Sequence, residues 1–289
     1  MKIPKRIEPL VEEGLVDSVI GQLMNGKEAM VYVVRCGSDI RCAKVYKETS
    51  KRNFRHNVSY TEGRQIRGSR GARAIRRRSY FGRLAQKEAW QSTEVDTMSR
   101  LATVGVRTPK CYNFFEGVLL MELITDSNGH VAPRLNDVIL TADLARTYHN
   151  FLIRQIVRML CYGVIHGDLS EYNVLIGAHG LVMIDFPQAI FAASNNSAAR
   201  MLKRDVDNVT AYLSRFAPEL ARTDYGSEIW SLYQRGKLHL EVNLTGNVEE
   251  KIKPANVDSV LSTINAVLRK ELAWQRYKQE RWTGRQLQY

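Results

Sequence analysis

The stretch Val164-Ile165-His166-Gly167-Asp168-Leu169-Ser170-Glu171-Tyr172-Asn173-Val174-Leu175-Ile176 is followed, after a tight turn, by Leu181-Val182-Met183-Ile184-Asp185-Phe186. It reads as an apolar run, a polar loop, a short strand, a glycine-containing turn and a second strand ending in a carboxylate. Three side chains are presented by it: Asp168, Asn173 and Asp185. Phosphoryl transfer from a metal-bound nucleotide needs such a set. One carboxylate orients the attacking hydroxyl, while an amide and a second carboxylate hold Mg²⁺ against the phosphates. Strands on both sides of the loop would fix the three groups at a defined separation, and the pattern implies an ATP-using phosphotransferase.

The rest of the chain is compatible with that chemistry. At 289 residues, with 44% hydrophobic and 25% charged residues, it is long enough for two lobes with a real core. No stretch approaches the roughly 18–20 apolar residues of a membrane span. The opening Met-Lys-Ile-Pro-Lys-Arg is not followed by an apolar signal region. Cys36, Cys42, Cys111 and Cys161 lack metal-binding spacing and suit reduced thiols. These features predict a cytoplasmic protein with no membrane contact. The net charge of +12 is concentrated in one place: residues 51–83 carry eleven Lys and Arg against the single acid Glu62, a local excess of +10. Two readings of this segment stand at even weight, a solvated insertion and a contact for RNA or a ribosome.

Upstream of the loop the spacing predicts a helical lead-in over residues 1–16 and strands over 17–24, 28–36 and 40–47, with a hairpin turn at Asn25-Gly26-Lys27. Lys44 lies inside the third strand. A strand lysine is commonly an outward-facing solvated group; the alternative is a lysine that pairs with nucleotide phosphates and is held by a helix glutamate, for which Glu88 in the 84–101 stretch is the candidate. A second hairpin, 111–115 and 118–124, ends at Met121-Glu122-Leu123-Ile124. There adenine would hydrogen-bond to backbone at Glu122 and Ile124, or the segment is an ordinary buried strand with Met121 as core. The polar Asp126-Ser127-Asn128-Gly129-His130 run divides a mostly-β lobe, 1–124, from a mostly helical lobe, 125–289. Helices are expected from Thr141 to Tyr162, from Ser197 to Phe216, from Tyr225 to Arg235 and from Pro254 onward. His166 is expected to be a packed structural residue, and Asp205 and Asp207 to act as helix caps or partners of basic side chains.

The sets Asn25-Gly26-Lys27-Glu28-Ala29-Met30-Val31-Tyr32, Ala43-Lys44-Val45-Tyr46-Lys47, His166-Gly167-Asp168-Leu169-Ser170-Glu171-Tyr172-Asn173 and Ile184-Asp185-Phe186-Pro187-Gln188 resemble, in order, the RIO family of atypical protein kinases. Chain length and the separate C-terminal segment suggest a bacterial-type member. The resemblance implies an α+β, two-lobed protein-kinase-like fold with a small antiparallel N-terminal sheet. It also implies Asp168 as catalytic base, Lys44 on the phosphates with Glu88 holding it, and Asn173 and Asp185 as ligands of Mg²⁺, with Mn²⁺ as a substitute. Asp185 would serve a second time as a phosphoaspartate. Gly26, Lys27 and Glu28 would cover the phosphates, with Val31, Met121, Glu122 and Ile124 completing the ATP site.

Departures from ordinary protein kinases narrow the function. Met24 and Ala29 stand at the first and third positions of the glycine-rich loop; the catalytic loop reads His-Gly-Asp; Phe-Pro follows Asp185; no Ala-Pro-Glu follows. The usual activation and peptide-binding segments are therefore expected to be missing. The resemblance implies a serine/threonine kinase that autophosphorylates and acts on a protein substrate yet to be identified. An ATPase switch on ribosomal precursors is the alternative, favoured by the arginine-rich segment. A small-molecule kinase shares His-Gly-Asp-x-x-x-x-Asn but is argued against by Gly-Lys-Glu-Ala-x-Val-Tyr.

Overall fold

A computed structural model describes residues 3–26, 29–47 and 94–247, all within one compact unit, Met1–Val248. The arginine-rich segment, Glu88, Lys27, Glu28 and the helix expected from Pro254 lie outside the described residues.

Period-two burial builds the N-terminal sheet. Strands β1 (Ser18–Asn25), β2 (Ala29–Cys36) and β3 (Asp39–Tyr46) run antiparallel, and a second hairpin, β4 (Cys111–Phe115) and β5 (Val118–Glu122), docks β5 against β3. The sheet order is β1-β2-β3-β5-β4. One face packs on the short helix α1 (Glu8–Glu12) through Ile7, Leu10, Val34, Ala43, Val45 and Leu120. Beyond β3 a second helix, α2, is described over 94–103. Its Met98 and Leu101 join Tyr46 and Leu119 in the core of the other face. Because side chains alternate along a strand, Ala43 and Val45 serve the α1 face while Lys44 and Tyr46 serve the α2 face. That alternation delivers the lysine to the cleft.

The C-terminal half is built on α3 (Ala142–Cys161), capped where the Leu144 N–H donates to the Thr141 hydroxyl oxygen at 3.3 Å. It stops at Gly163, whose φ of 74° permits the left-handed turn that closes the helix. The chain continues through β6 (Val164–Ile165), the β7–β8 hairpin (Val174–Gly177 and Gly180–Met183), β9 (Ile190–Phe191), α4 (Ala198–Leu213) and α5 (Tyr225–Gln234). Only β9 and one 3₁₀ turn, Ala192–Ser194, occupy the chain between Asp185 and α4. This leaves no room for a long activation and peptide-binding segment, as the sequence led one to expect. Among the described residues no helix is long and apolar enough to cross a membrane.

Where α3 meets α4, the buried His149 ring shares a 2.9 Å hydrogen bond with the Thr210 hydroxyl. Burial holds its pKa at about 4 against the ordinary 6.5. On acidification the unfolded chain takes up this proton first, so folding stability is lost as pH falls from about 6.5 to about 4. The full effect at this one site is on the order of 3 kcal/mol. Urea unfolding at pH 7 and at pH 5 is expected to give a lower midpoint at pH 5. An identical shift in a His149→Gln variant would show that His149 titrates normally.

Candidate nucleotide site

The two halves face each other across a cleft of about 1160 Å³ whose lining includes Lys44, Glu94, Asp168, Asn173 and Asp185. Local structure sets each of these groups. Asn173 closes a 3₁₀ turn, Glu171–Asn173. Its carbonyl accepts from the Ile184 N–H at 3.0 Å, which extends the β7–β8 ladder by one rung. Asp185 is the next residue beyond that rung. The Asn173 amide nitrogen donates to the Asp168 carbonyl at 2.8 Å, which ties the loop's first functional residue to its second. Asp185 itself adopts φ 70°. Aspartate tolerates this left-handed geometry better than most residues, and such outliers are held where the surroundings over-determine them.

The surroundings here are charged. Lys44 Nζ donates to Glu94 Oε1 at 2.7 Å and to Asp185 Oδ1 at 2.8 Å. Burial alone would lower the lysine pKa, but the two carboxylates overcome it and hold the ammonium well above its ordinary range. Desolvation would likewise raise Asp185; the Lys44 charge and hydrogen bond outweigh it and hold that carboxyl below the usual range. Tyr46 donates its hydroxyl to Glu94 Oε2, so both oxygens of this fully buried carboxylate are engaged. Asp168 behaves oppositely: burial pushes its pKa up, Arg204 pulls it partly back, and Asp185 adds to the rise.

Among the described residues Lys44 is paired with Glu94; Glu88, the candidate read from the sequence, lies outside the described residues. Glu94 precedes Met98 and Leu101 by one and two turns and shares their inward face.

His166 takes the structural role expected of it. Its Nε2 lies 3.1 Å from the Ile184 carbonyl, Nδ1 accepts from the Asp168 N–H at 3.3 Å, and the ring packs on Phe186. Burial lowers its pKa to about 4. Asp205 does more than the expected cap or partner of a basic side chain: with the Arg204 charge acting on it, it is buried and accepts from the Gly167 N–H at 2.7 Å and the Leu169 N–H at 3.0 Å. Burial pushes its pKa up to about 7 against the pull of those two donors. On the same helix, Arg204 donates to the Gly167 carbonyl and Asn208 to the Leu169 carbonyl at 3.0 Å. The loop backbone is thus pinned from both sides by α4. The available signal was a carboxylate within the apolar stripe Met201, Leu202, Val206 and Val209.

Comparison with known proteins bears on family and fold. A family model described as the RIO domain matches residues 30–225. The chain is similar to the RIO-type serine/threonine-protein kinase Rio1 of Haloferax volcanii, 32% identical over 214 residues that cover 72% of this chain and 68% of that protein. It is also similar to the serine/threonine-protein kinase RIO1 of Chaetomium thermophilum, 27% identical over 268 residues, 88% of this chain and 48% of that protein. The chain thus spans about half the length of the Chaetomium relative. In fold it is similar to the Rio2 kinase–ADP/Mg²⁺–phosphoaspartate complex from Chaetomium thermophilum, with a TM-score of 0.51, 18% identity, and coverage of 80% of this chain and 74% of that one.

Replacing Asp205 by alanine leaves two buried N–H groups without acceptors, at about 1–3 kcal/mol each. Denaturant unfolding of Asp205→Ala is expected to show a loss of about 2–5 kcal/mol, with Asp205→Asn in between because it keeps one acceptor oxygen. Unchanged stability in the alanine variant would mean that Arg204 and Asn208 hold the loop alone.

Proposed function

The chain belongs to the RIO family of atypical serine/threonine kinases, and from that premise we propose that it transfers the γ-phosphate of ATP to a hydroxyl on itself and on a protein substrate. The observation that carries this reading is the convergence of Lys44, Asp168, Asn173 and Asp185 on one cleft between the sheet and the helical half. Asp168 is the base. Its raised pKa makes it the better proton acceptor of the two aspartates, and the Asn173 amide holds its backbone carbonyl. Lys44 meets the phosphates, held in place by Glu94. Adenine lies against Met121 and Val31, using the Glu122 carbonyl and the Ile124 N–H, since the Glu122 N–H already serves Lys110 and the Ile124 carbonyl already serves Ala132. Gly26, with Lys27 and Glu28 beyond it, covers the phosphates from the β1–β2 turn.

The donor set fits a hard divalent cation. Asn173 spends its amide nitrogen on the Asp168 carbonyl, which leaves the amide oxygen for the ion. Asp185 spends Oδ1 on Lys44, which leaves Oδ2. Mg²⁺, or Mn²⁺ in its place, would be held by these two oxygens and would neutralise charge developing on the phosphates. The similar Rio2 structure contains a phosphoaspartate; Asp185 is the residue proposed for that role here, its carboxylate oxygen attacking the γ-phosphorus as ADP departs.

The Asp168→Ala variant is expected to lose about 10²- to 10⁴-fold in phosphate transfer from labelled Mg-ATP while still binding the nucleotide. Retained formation of acid-stable phosphoserine or phosphothreonine would remove Asp168 from the role of base.

The excess of +10 within residues 51–83 favours a second reading, an ATPase switch acting on ribosomal or other RNA particles. Under it, free phosphate outruns label transferred to protein when the enzyme is incubated with Mg-ATP and cell lysate. Replacing Arg76, Arg77 and Arg78 with alanine should weaken ribosome or RNA binding and flatten the log–log salt slope by about 2, leaving ATP affinity unchanged. Sedimentation with ribosomal particles that does not respond to these substitutions would assign the segment to solvated surface.

A further inference from the structure

Arg134 also lines the cleft, and none of the roles above uses it. Its backbone is fixed. It bridges Leu175 of β7, its carbonyl accepts from the Asp137 N–H at 2.9 Å, and the neighbouring Pro133 carbonyl accepts from the Ile176 N–H at 2.9 Å. From that anchor the guanidinium crosses the cleft to Met24 Sδ at 2.7 Å. Met24 lies on β1, next to the Asn25-Gly26 turn.

A thioether is a weak acceptor and carries no charge with which to neutralise a guanidinium. Three arginines of the described residues pair with carboxylates, Arg41 with Asp39, Arg107 with Glu122, and Arg146 with Asp143 and Glu219, while Arg154 and Arg158 donate to backbone carbonyls. Among the described residues no carboxylate lies within ion-pair distance of Arg134. A planar fork of donors with an unneutralised charge, half-buried in a cleft and tethered to a weak partner on the roof, is suited to an anion arriving between floor and roof.

We propose that Arg134 is a phosphate-binding residue for the nucleotide: it exchanges the Met24 thioether for phosphate oxygens and thereby clasps the triphosphate from the side opposite Lys44. The proposal rests on the kinase reading, because it takes its ligand from that reading.

The test is calorimetric titration of the full chain and its variants with ATP, ADP and adenosine in the presence of Mg²⁺. Arg134→Ala is expected to bind ATP about 10- to 100-fold more weakly than the parent while binding adenosine equally well, which also reports an intact cleft. Arg134→Lys keeps the charge without the fork and should fall between. Equal ATP affinity in the parent and Arg134→Ala would overturn the proposal and leave the kinase reading standing. An equal loss for adenosine and ATP would overturn it too, since the residue would then be supporting the cleft or gripping the nucleoside. A parent chain that binds neither nucleotide would overturn both.

Discussion

The ammonium of Lys44, placed between Glu94 and Asp185, is the interaction on which the site depends. It joins three pieces of chain far apart in sequence: a central strand of the sheet, the helix beside it and the loop after β8. Burial sets the stakes. A nearly buried ammonium with one partner removed is costly by about 3–5 kcal/mol, so the arrangement resists partial assembly. The lysine's two bonds are not equivalent. Glu94 is enclosed and has its second oxygen occupied by Tyr46, whereas the Asp185 side chain is 44% exposed to the cleft. The Asp185 end is therefore the one open to exchange, and the Glu94 end is the one that stays enclosed.

Around this pivot the structure spends side chains on holding backbone. Gly167 and Leu169 have both their N–H and C=O groups taken by Asp205, Arg204 and Asn208. A polar loop in a half-buried setting would otherwise leave those groups without partners. Asp168 between them keeps its side chain for the cleft. Asp205 thus acts at one remove from the chemistry, and its burial is the reason it can do so: water does not compete for the two N–H groups.

Much of this was legible in the chain. The β3 alternation, the capped and glycine-terminated α3, and the turn linking Asn173 to Asp185 follow from period, caps and turn residues, because local physics dictates them. What was not legible came from pairings across long sequence separations. Glu94 lies in the same stretch as the candidate Glu88, and its only signal was the helical phase it shares with Met98 and Leu101. Asp205 read as a helix cap or a partner of a basic side chain, although the apolar residues flanking it at helical spacing marked its face as buried. Arg134 carried no local signal at all. Its position derives from bridging to Leu175, and its reach to Met24 from the closeness of floor and roof.

The absence of a long segment between Asp185 and α4 raises the question of what holds α2 in place, since phosphorylated activation segments do that in ordinary protein kinases. The 104–109 loop supplies an answer in covalent sequence with α2. Arg158 of α3 donates to the Gly105 carbonyl at 3.1 Å, the Arg107 N–H donates to Gln155 of α3 at 3.2 Å, and the Arg107 carbonyl accepts from the Met183 N–H at 2.9 Å. Gly105, at φ 77°, allows the close approach, because a Cβ there would lie 2.5 Å from the Arg158 guanidinium. Arg100 on the last turns of α2 also stacks over Phe191 of β9. These contacts anchor the C-terminal end of α2 to the helical half rather than to a switchable segment. Packing against the helical half therefore holds the helix from which Glu94 reaches Lys44.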